Sequence, residues 1–63
     1  MILRQAYAIY PGDHIVHKGQ PHYVNAANRE AGYIVLVLSQ GTTDSIKRVS
    51  LYPDDSVEIW FKD

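Results

Sequence analysis

The sequence contains no cysteine among its 63 residues. This absence excludes disulfide bonds and thiolate metal ligands as a means of stabilising the fold. A chain of this length has room for one domain, and it buries only about 60% of the surface that its unfolded form exposes. Burial against a second chain is then an expected source of extra stability. We therefore expect a single small domain over residues 1–63, with a protein partner or a second copy of itself.

The sequence also has no large excess of positive or negative charge and no long apolar run. It contains six Lys and Arg residues and seven Asp and Glu residues, for a net charge of -1. A protein that derives its affinity from neutralising phosphates is usually basic, so a dedicated duplex binder is disfavoured. No apolar run reaches the roughly 18 residues of a membrane span. The first residues also lack the basic leader and apolar segment of a signal peptide. We predict a cytoplasmic protein that does not bind membranes.

Catalytic motifs are missing as well. No Gly-x-Ser-x-Gly sequence occurs, and Asp54 and Asp55 are adjacent in a turn-forming segment rather than placed to face each other across a cleft. A chain this short rarely encloses a substrate pocket of about 300 Å³ or more. We predict a protein that is not an enzyme, with no catalytic residues, no cofactor and no small-molecule substrate.

Three histidines lie close together in the sequence, at positions 14, 17 and 22. A hairpin loop predicted from Lys18 to Pro21 would place His17 directly opposite His22. His14 would point to the other face of the strand. Two imidazoles fall short of the four ligands of a structural zinc site and the three of a catalytic one. We predict no metal site, and interpret His17 and His22 as a polar surface pair.

Short segments that favour extended structure alternate with turn-forming residues along the whole chain. This spacing predicts an all-β barrel or sandwich, with strands near residues 2–9, 14–18, 22–28, 33–39, 45–49 and 56–62. The first segment also fits a helical stripe formed by Leu3, Ala6, Tyr7 and Tyr10. Its β-prone residues and the following Pro11 favour a strand. Small and polar residues at 25–28 predict a bulge or the end of a strand.

The central segment from Tyr33 to Leu38 is apolar on both faces. A strand with one solvated face should alternate apolar and polar residues, so both faces of this strand need cover. Near the C-terminus, Trp60 lies between Glu58 and Lys62, on the face opposite Val57, Ile59 and Phe61. Exposed aromatic and aliphatic patches mark partner sites. We predict that the protein binds a partner or forms a dimer through Tyr33, Val35, Val37 and Trp60.

Two alternatives stay open. In the first, the N-terminal segment folds over this second face through Leu3, Tyr7 and Ile9 and buries it within one chain. In the second, the protein binds single-stranded nucleic acid, with tyrosines and Trp60 as stacking platforms and with Arg29, Lys47 and Arg48 as cations. Steep salt dependence would distinguish binding of a nucleic acid from binding of a protein.

The order of segments resembles the SH3-like barrel superfamily. The resemblance rests on the opening Gly12-Asp13-His14-Ile15-Val16, a glycine-bounded hairpin, the hydrophobic central strand, and Leu51-Tyr52-Pro53 before a closing strand. It covers residues 12–61 and implies an all-β, five- to six-stranded small barrel with a short 3-10 turn before the last strand. Its motifs inform the fold and not the activity. In size and style the chain is also similar to small proteins of bacteriophage and mobile-element genomes.

Overall fold

The computed structural model describes residues 2–40 and 46–60, and these form an all-β structure. Its elements are β1 (Ile2–Gln5), a 3-10 helix (Ala6–Ala8), β2 (His14–His17), β3 (Gln20–Glu30), β4 (Tyr33–Ser39), β5 (Ile46–Leu51) and β6 (Ser56–Ile59). The strands form one antiparallel sheet in the order β1-β6-β2-β3-β4-β5. The all-β prediction is therefore confirmed.

The predicted strands agree with the observed ones best in the middle of the chain. The central strand has the predicted bounds 33–39, whereas β3 extends over 20–30 instead of 22–28 and β5 reaches residue 51 instead of 49. Residue 45 of the predicted fifth strand, and Phe61 and Lys62 of the predicted last strand, lie outside the described residues.

The N-terminal segment differs from the prediction of one strand over 2–9. The strand ends at Gln5, and the 3-10 helix turns the chain inward, so that Ala6 and Ile9 are buried. The amide of Ala6 donates to the carbonyl of Asp55 at 2.8 Å, and the amide of Tyr7 donates to that of Pro53 at 3.2 Å. These bonds fix the segment to the loop before β6. The helical interpretation of this segment is therefore correct only for the single 3-10 turn at Ala6–Ala8.

The loop before β6 corrects a second expectation. The resemblance implied a 3-10 turn there, but residues 52–55 form a tight turn in which the Asp55 amide donates to the Tyr52 carbonyl at 3.0 Å. The Asp55 carboxylate in turn accepts from the Tyr52 amide at 2.9 Å. The only 3-10 helix in the described residues is the one at Ala6–Ala8.

Two hairpins set the register of the sheet. His17 pairs with Gln20, so the β2–β3 turn contains only Lys18 and Gly19, and the predicted four-residue loop is wrong. Glu30 pairs with Tyr33 in the same way across Ala31 and Gly32. Both turns need a left-handed backbone at both positions, as two-residue hairpins commonly do. Lys18 has φ 52° and Ala31 has φ 51°, although neither is a glycine or an asparagine.

One face of the sheet, which we call the core face, carries the hydrophobic core. Residues on β2, β3, β4 and β6 join Ala6 and Ile9 there, and Ala27, Val49 and Leu51 pack at the margin. The buried set is Ala6, Ile9, Ile15, Val24, Ile34, Leu36, Leu38, Val57 and Ile59. The segment that could have covered the second face thus contributes to this core instead, while Leu3 and Tyr7 stay exposed.

A bulge at Asn25 keeps β3 in register with this core. Val24 pairs with Leu38 and Ala26 with Val37, which leaves Asn25 as the extra residue and confirms the predicted irregularity. Without the extra residue, Ala26 instead of Ala27 would oppose Leu36 on the core face. The bulge therefore delivers Ala27 to the core and adds local twist.

The sheet ends in two edge strands, β1 and β5. No ladder joins these strands in the described part of the chain, so the sheet is open and closure into a barrel is not confirmed. Within residues 2–40 and 46–60, no helix has the length and apolar character needed to cross a bilayer.

The left-handed conformation at Ala31 gives a test of the β3–β4 turn. Ala31→Asn should raise the free energy of unfolding by about 0.5–1 kcal/mol, because asparagine tolerates this conformation better than alanine. Ala31→Val should lower it, since a β-branched side chain tolerates it worse. Urea denaturation of both variants measures the change. Equal stability of the two would contradict this geometry.

Candidate protein-binding surface

The face opposite the core face, which we call the open face, carries a row of paired residues, three of which have aromatic rings. The Trp60 amide donates to the His14 carbonyl at 2.9 Å, which continues the pairing of β6 with β2 beyond Ile59. His14 pairs with Tyr23, Tyr23 with Ser39, and Ser39 with Ile46. Residues paired in this way lie on the same face of a sheet. The row therefore runs across the open face from β6 to β5.

Three rings at one end of this row contact each other edge to face. The ring centroids of His14 and Tyr23 are 5.3 Å apart at 64°, and those of His14 and Trp60 are 5.9 Å apart at 65°. Such T-shaped arrangements are favoured by the quadrupoles of aromatic rings. The imidazole of His14 thus lies between the phenol ring of Tyr23 and the indole of Trp60 and contacts both.

These rings line a groove of about 300 Å³, which we call the Trp60 groove. Its lining residues are His14, Pro21, His22, Tyr23 and Trp60. Trp60 remains 37% exposed and Tyr23 42% exposed. No carboxylate, ammonium or guanidinium group lines the groove, so it fits an apolar or proline-like group with a hydrogen-bond acceptor for the indole or the phenol.

The predicted patch is only partly present. The register places Tyr33, Val35 and Val37 on the same open face as Trp60, as we predicted. However, Val35 is only 6% exposed and Val37 is half-buried. Tyr33 is 40% exposed, and its ring contacts that of Tyr52 at 5.3 Å. The expectation that Val35 is available to a partner is therefore wrong.

An ion pair crosses the open face beside the buried Val35. Arg48 pairs with Val37 on one side of β4, and Glu30 pairs with Tyr33 on the other. Their side chains meet across the strand, with Nη2 of Arg48 at 3.2 Å from Oε2 of Glu30. The ion pair thus spans the open face at the level of Val35, and the methylene groups of such side chains cover apolar surface. Cover comes from neighbouring strands and not from the N-terminal segment.

Four of the five groove residues were not predicted as members of the protein-binding site: His14, Pro21, His22 and Tyr23. Pro21 and Tyr23 are two residues apart and hence share a face, which was a usable signal. The incorrect loop length hid the position of His14, because a two-residue turn is needed to bring it opposite Tyr23.

The structure separates the three cations of the nucleic-acid hypothesis. Arg48 is on the open face and pairs with Glu30, whereas Lys47 pairs with Leu38 on the core face. Arg29 lines another groove, of about 160 Å³, beside Tyr7 and Tyr10. The three residues therefore do not form one basic surface.

His17 and His22 share the core face, although they are diagonal and not directly opposed. Their ring centroids are 5.6 Å apart at 78°. His22 is only 4% exposed, so the interpretation of a polar surface pair is wrong for this residue. No group of three or more His, Cys, Asp or Glu residues in the described ranges is arranged to hold a metal ion.

Comparison with known proteins gives no relative: no family model, no curated protein and no solved structure matches the chain.

The environment of His17 gives a testable dependence on pH. Burial lowers the pKa of His17 below its ordinary value of 6.5, and the neighbouring His22, Lys18 and Lys47 lower this pKa further. The folded protein therefore binds this proton more weakly than the unfolded chain. The contribution of His17 to the free energy of unfolding is therefore fully present above pH 6.5. It is lost as the pH falls through the folded-state pKa.

We expect His17→Gln to flatten the dependence of unfolding free energy on pH in this window. Urea denaturation at a series of pH values for both proteins isolates the contribution of His17 from those of other titrating groups. Parallel curves for the two proteins would contradict the expected role of this histidine.

Proposed function

We propose that this chain is a non-enzymatic protein-interaction module that binds a second copy or a larger protein through the Trp60 groove. The single observation that supports this most is the contact geometry of Trp60, His14 and Tyr23. It holds two large rings in place while both remain more than a third exposed.

Rigid, partly exposed aromatic side chains are well suited to binding. Trp and Tyr are enriched among the residues that dominate interface energies. Because the edge-to-face contacts already restrict the rings, little side-chain entropy is lost when a partner covers them. The exposed Ile46 at the far end of the row extends the apolar surface to β5.

Self-association is the simplest form of this function. A twofold dimer uses one surface twice, so a single apolar groove provides both halves of the interface. The burial obtained in this way would supplement a core that a chain of 63 residues keeps small.

We also propose a fold family, a cellular location and an origin for this chain. We infer an SH3-like small barrel, supported by the strand order: β2 to β5 follow each other as a meander, and β6 returns to pair with β2. Such a return connection is characteristic of Greek-key folds. A cytoplasmic location, and an origin among phage-like small proteins, are part of the same proposal.

Single-stranded nucleic-acid binding is the second candidate, and one observation favours it. Tyr7 and Tyr10 are 46% and 66% exposed and line a groove together with Arg29. Rings beside a guanidinium can stack on bases and contact phosphate. Lys47 and Arg48 lie elsewhere on the sheet, so we expect Arg29 alone to act at this groove.

Trp60→Ala tests the first proposal. It should weaken self-association by about 2 kcal/mol or more, roughly 30-fold, with little dependence on salt. Sedimentation equilibrium from micromolar to millimolar protein, at two ionic strengths, measures the effect. Tyr10→Ala removes a more exposed ring outside the Trp60 groove and should leave association unchanged.

A strict monomer at all concentrations would reject self-association. Binding to a foreign protein is then tested with peptides selected from a random displayed library. Such peptides should bind the chain and shift the NMR resonances of His14, Tyr23 and Trp60. They should fail to bind Trp60→Ala. Failure of this second measurement as well would reject the proposal.

Arg29→Ala tests the nucleic-acid candidate. If the protein binds single strands at this groove, fluorescence anisotropy with a labelled oligonucleotide should show binding that weakens steeply with salt. Arg29→Ala and Tyr10→Ala should each weaken it several-fold, since stacking contributes about 1–3 kcal/mol per base. Trp60→Ala should bind like the parent. An oligonucleotide that binds equally well to Arg29→Ala would exclude this groove.

A further inference from the structure

The β2–β3 hairpin brings two imidazole rings together on the core face, beside the turn at Lys18 and Gly19. His17 and His22 lie on neighbouring strands, and their ring centroids are 5.6 Å apart with planes at 78°. His22 is only 4% exposed, and His17 is half-buried. His22 also lines the Trp60 groove, but the proposed interaction function does not use its contact with His17.

The hydrogen bonding of His22 determines the state of its ring. Nδ1 of His22 lies 2.9 Å from the carbonyl oxygen of Gln20. A carbonyl only accepts, so Nδ1 carries the proton and donates it. The neutral ring then has a lone pair on Nε2. This atom is buried and has no hydrogen-bond partner.

A buried lone pair without a partner is unfavourable in an unliganded protein, because its desolvation is uncompensated. The same arrangement is what a metal-binding histidine shows. Such a histidine donates its other ring nitrogen to a carbonyl or a carboxylate, which orients the ring and presents the free nitrogen to the ion. The Gln20 carbonyl takes this supporting position here.

We propose that His17 and His22 together bind a divalent transition-metal ion, with Nε2 of His22 as one ligand and a ring nitrogen of His17 as the other. Zn²⁺, Ni²⁺ and Cu²⁺ are the ions that imidazole ligands suit. Water completes the coordination, because no third His, Cys, Asp or Glu joins the pair within residues 2–40 and 46–60.

The spacing of the rings fits one shared ion. With metal-to-nitrogen distances of about 2.0–2.1 Å and a tetrahedral angle, two coordinated imidazoles have centroids roughly 5 Å apart. The observed 5.6 Å requires only a small rotation of His17, whose side chain is half-buried and near the hairpin turn.

The charges around the two histidines determine how tightly we expect a metal ion to bind. Lys18 and Lys47 lie close enough to lower the pKa of His17. Positive charge opposes binding of a dication, and two ligands bind less tightly than three or four. We therefore expect an exchangeable site, not a structural metal centre.

Long-range ¹H–¹⁵N NMR spectra of the ¹⁵N-labelled protein test the site directly. Without metal, His22 should show the tautomer with Nδ1 protonated. Addition of ZnCl₂ should shift the Nε2 resonance of His22 and one ring nitrogen of His17 together, at one ion per chain. Binding of the folded state should also raise the midpoint of thermal unfolding as the zinc concentration increases.

Variants at the three histidines separate this site from general affinity for zinc. His17→Gln and His22→Gln should each weaken zinc binding by about tenfold or more. His14→Gln removes an imidazole from the open face and should retain binding of zinc. If His22→Gln fails to fold, His17→Gln at the half-buried position still provides the test.

Two results would overturn the proposal. The first is an unchanged pair of ring resonances at millimolar zinc. The second is equal affinity for zinc in His17→Gln and in the parent protein. Loss of binding in His14→Gln alone would move the site to the open face and likewise contradict it.

Discussion

The pairing of the short strand β2 with both β6 and β3 is the constraint on which the rest of this structure depends. β2 has only four residues, yet it joins the meander of β3, β4 and β5 to the ribbon of β1 and β6. Ile15 opposes Ile59 on one side and His22 on the other, which fixes which side chains enter the core. A shift of one residue would send Ile15 to the open face and bring His14 inward.

The same register produces two different surfaces from neighbouring residues. His14 faces outward and positions Trp60 and Tyr23, whereas His17 faces inward and contacts His22. The three histidines therefore take part in two sets of ring contacts, and His22 also lines the Trp60 groove. Alternation along β2 places His14 and His17 on opposite faces of the sheet.

Strand locations were predictable because β4 and β6 carry strong local patterns, and the bulge near Asn25 had a local signal in its small and polar neighbours. The two-residue turn at Lys18 and Gly19 was not predictable in this way, since lysine rarely adopts a positive φ. The low exposure of Val35 coincides with an ion pair across the open face between Arg48 and Glu30, which are 18 positions apart in sequence. Its cover is set by the register of three strands, and no local pattern encodes such a contact.

The bridge between Arg48 and Glu30 has a consequence for how the molecule behaves in solution. Both side chains are themselves more than half exposed, at 65% and 51%. The ion pair crosses the open face at the level of Val35, and dissolved salt weakens the attraction between two charges that are this exposed. The water exposure of Val35 is therefore expected to rise with ionic strength, which ties the hydration of one apolar residue in the middle of the sheet to the solvent around it.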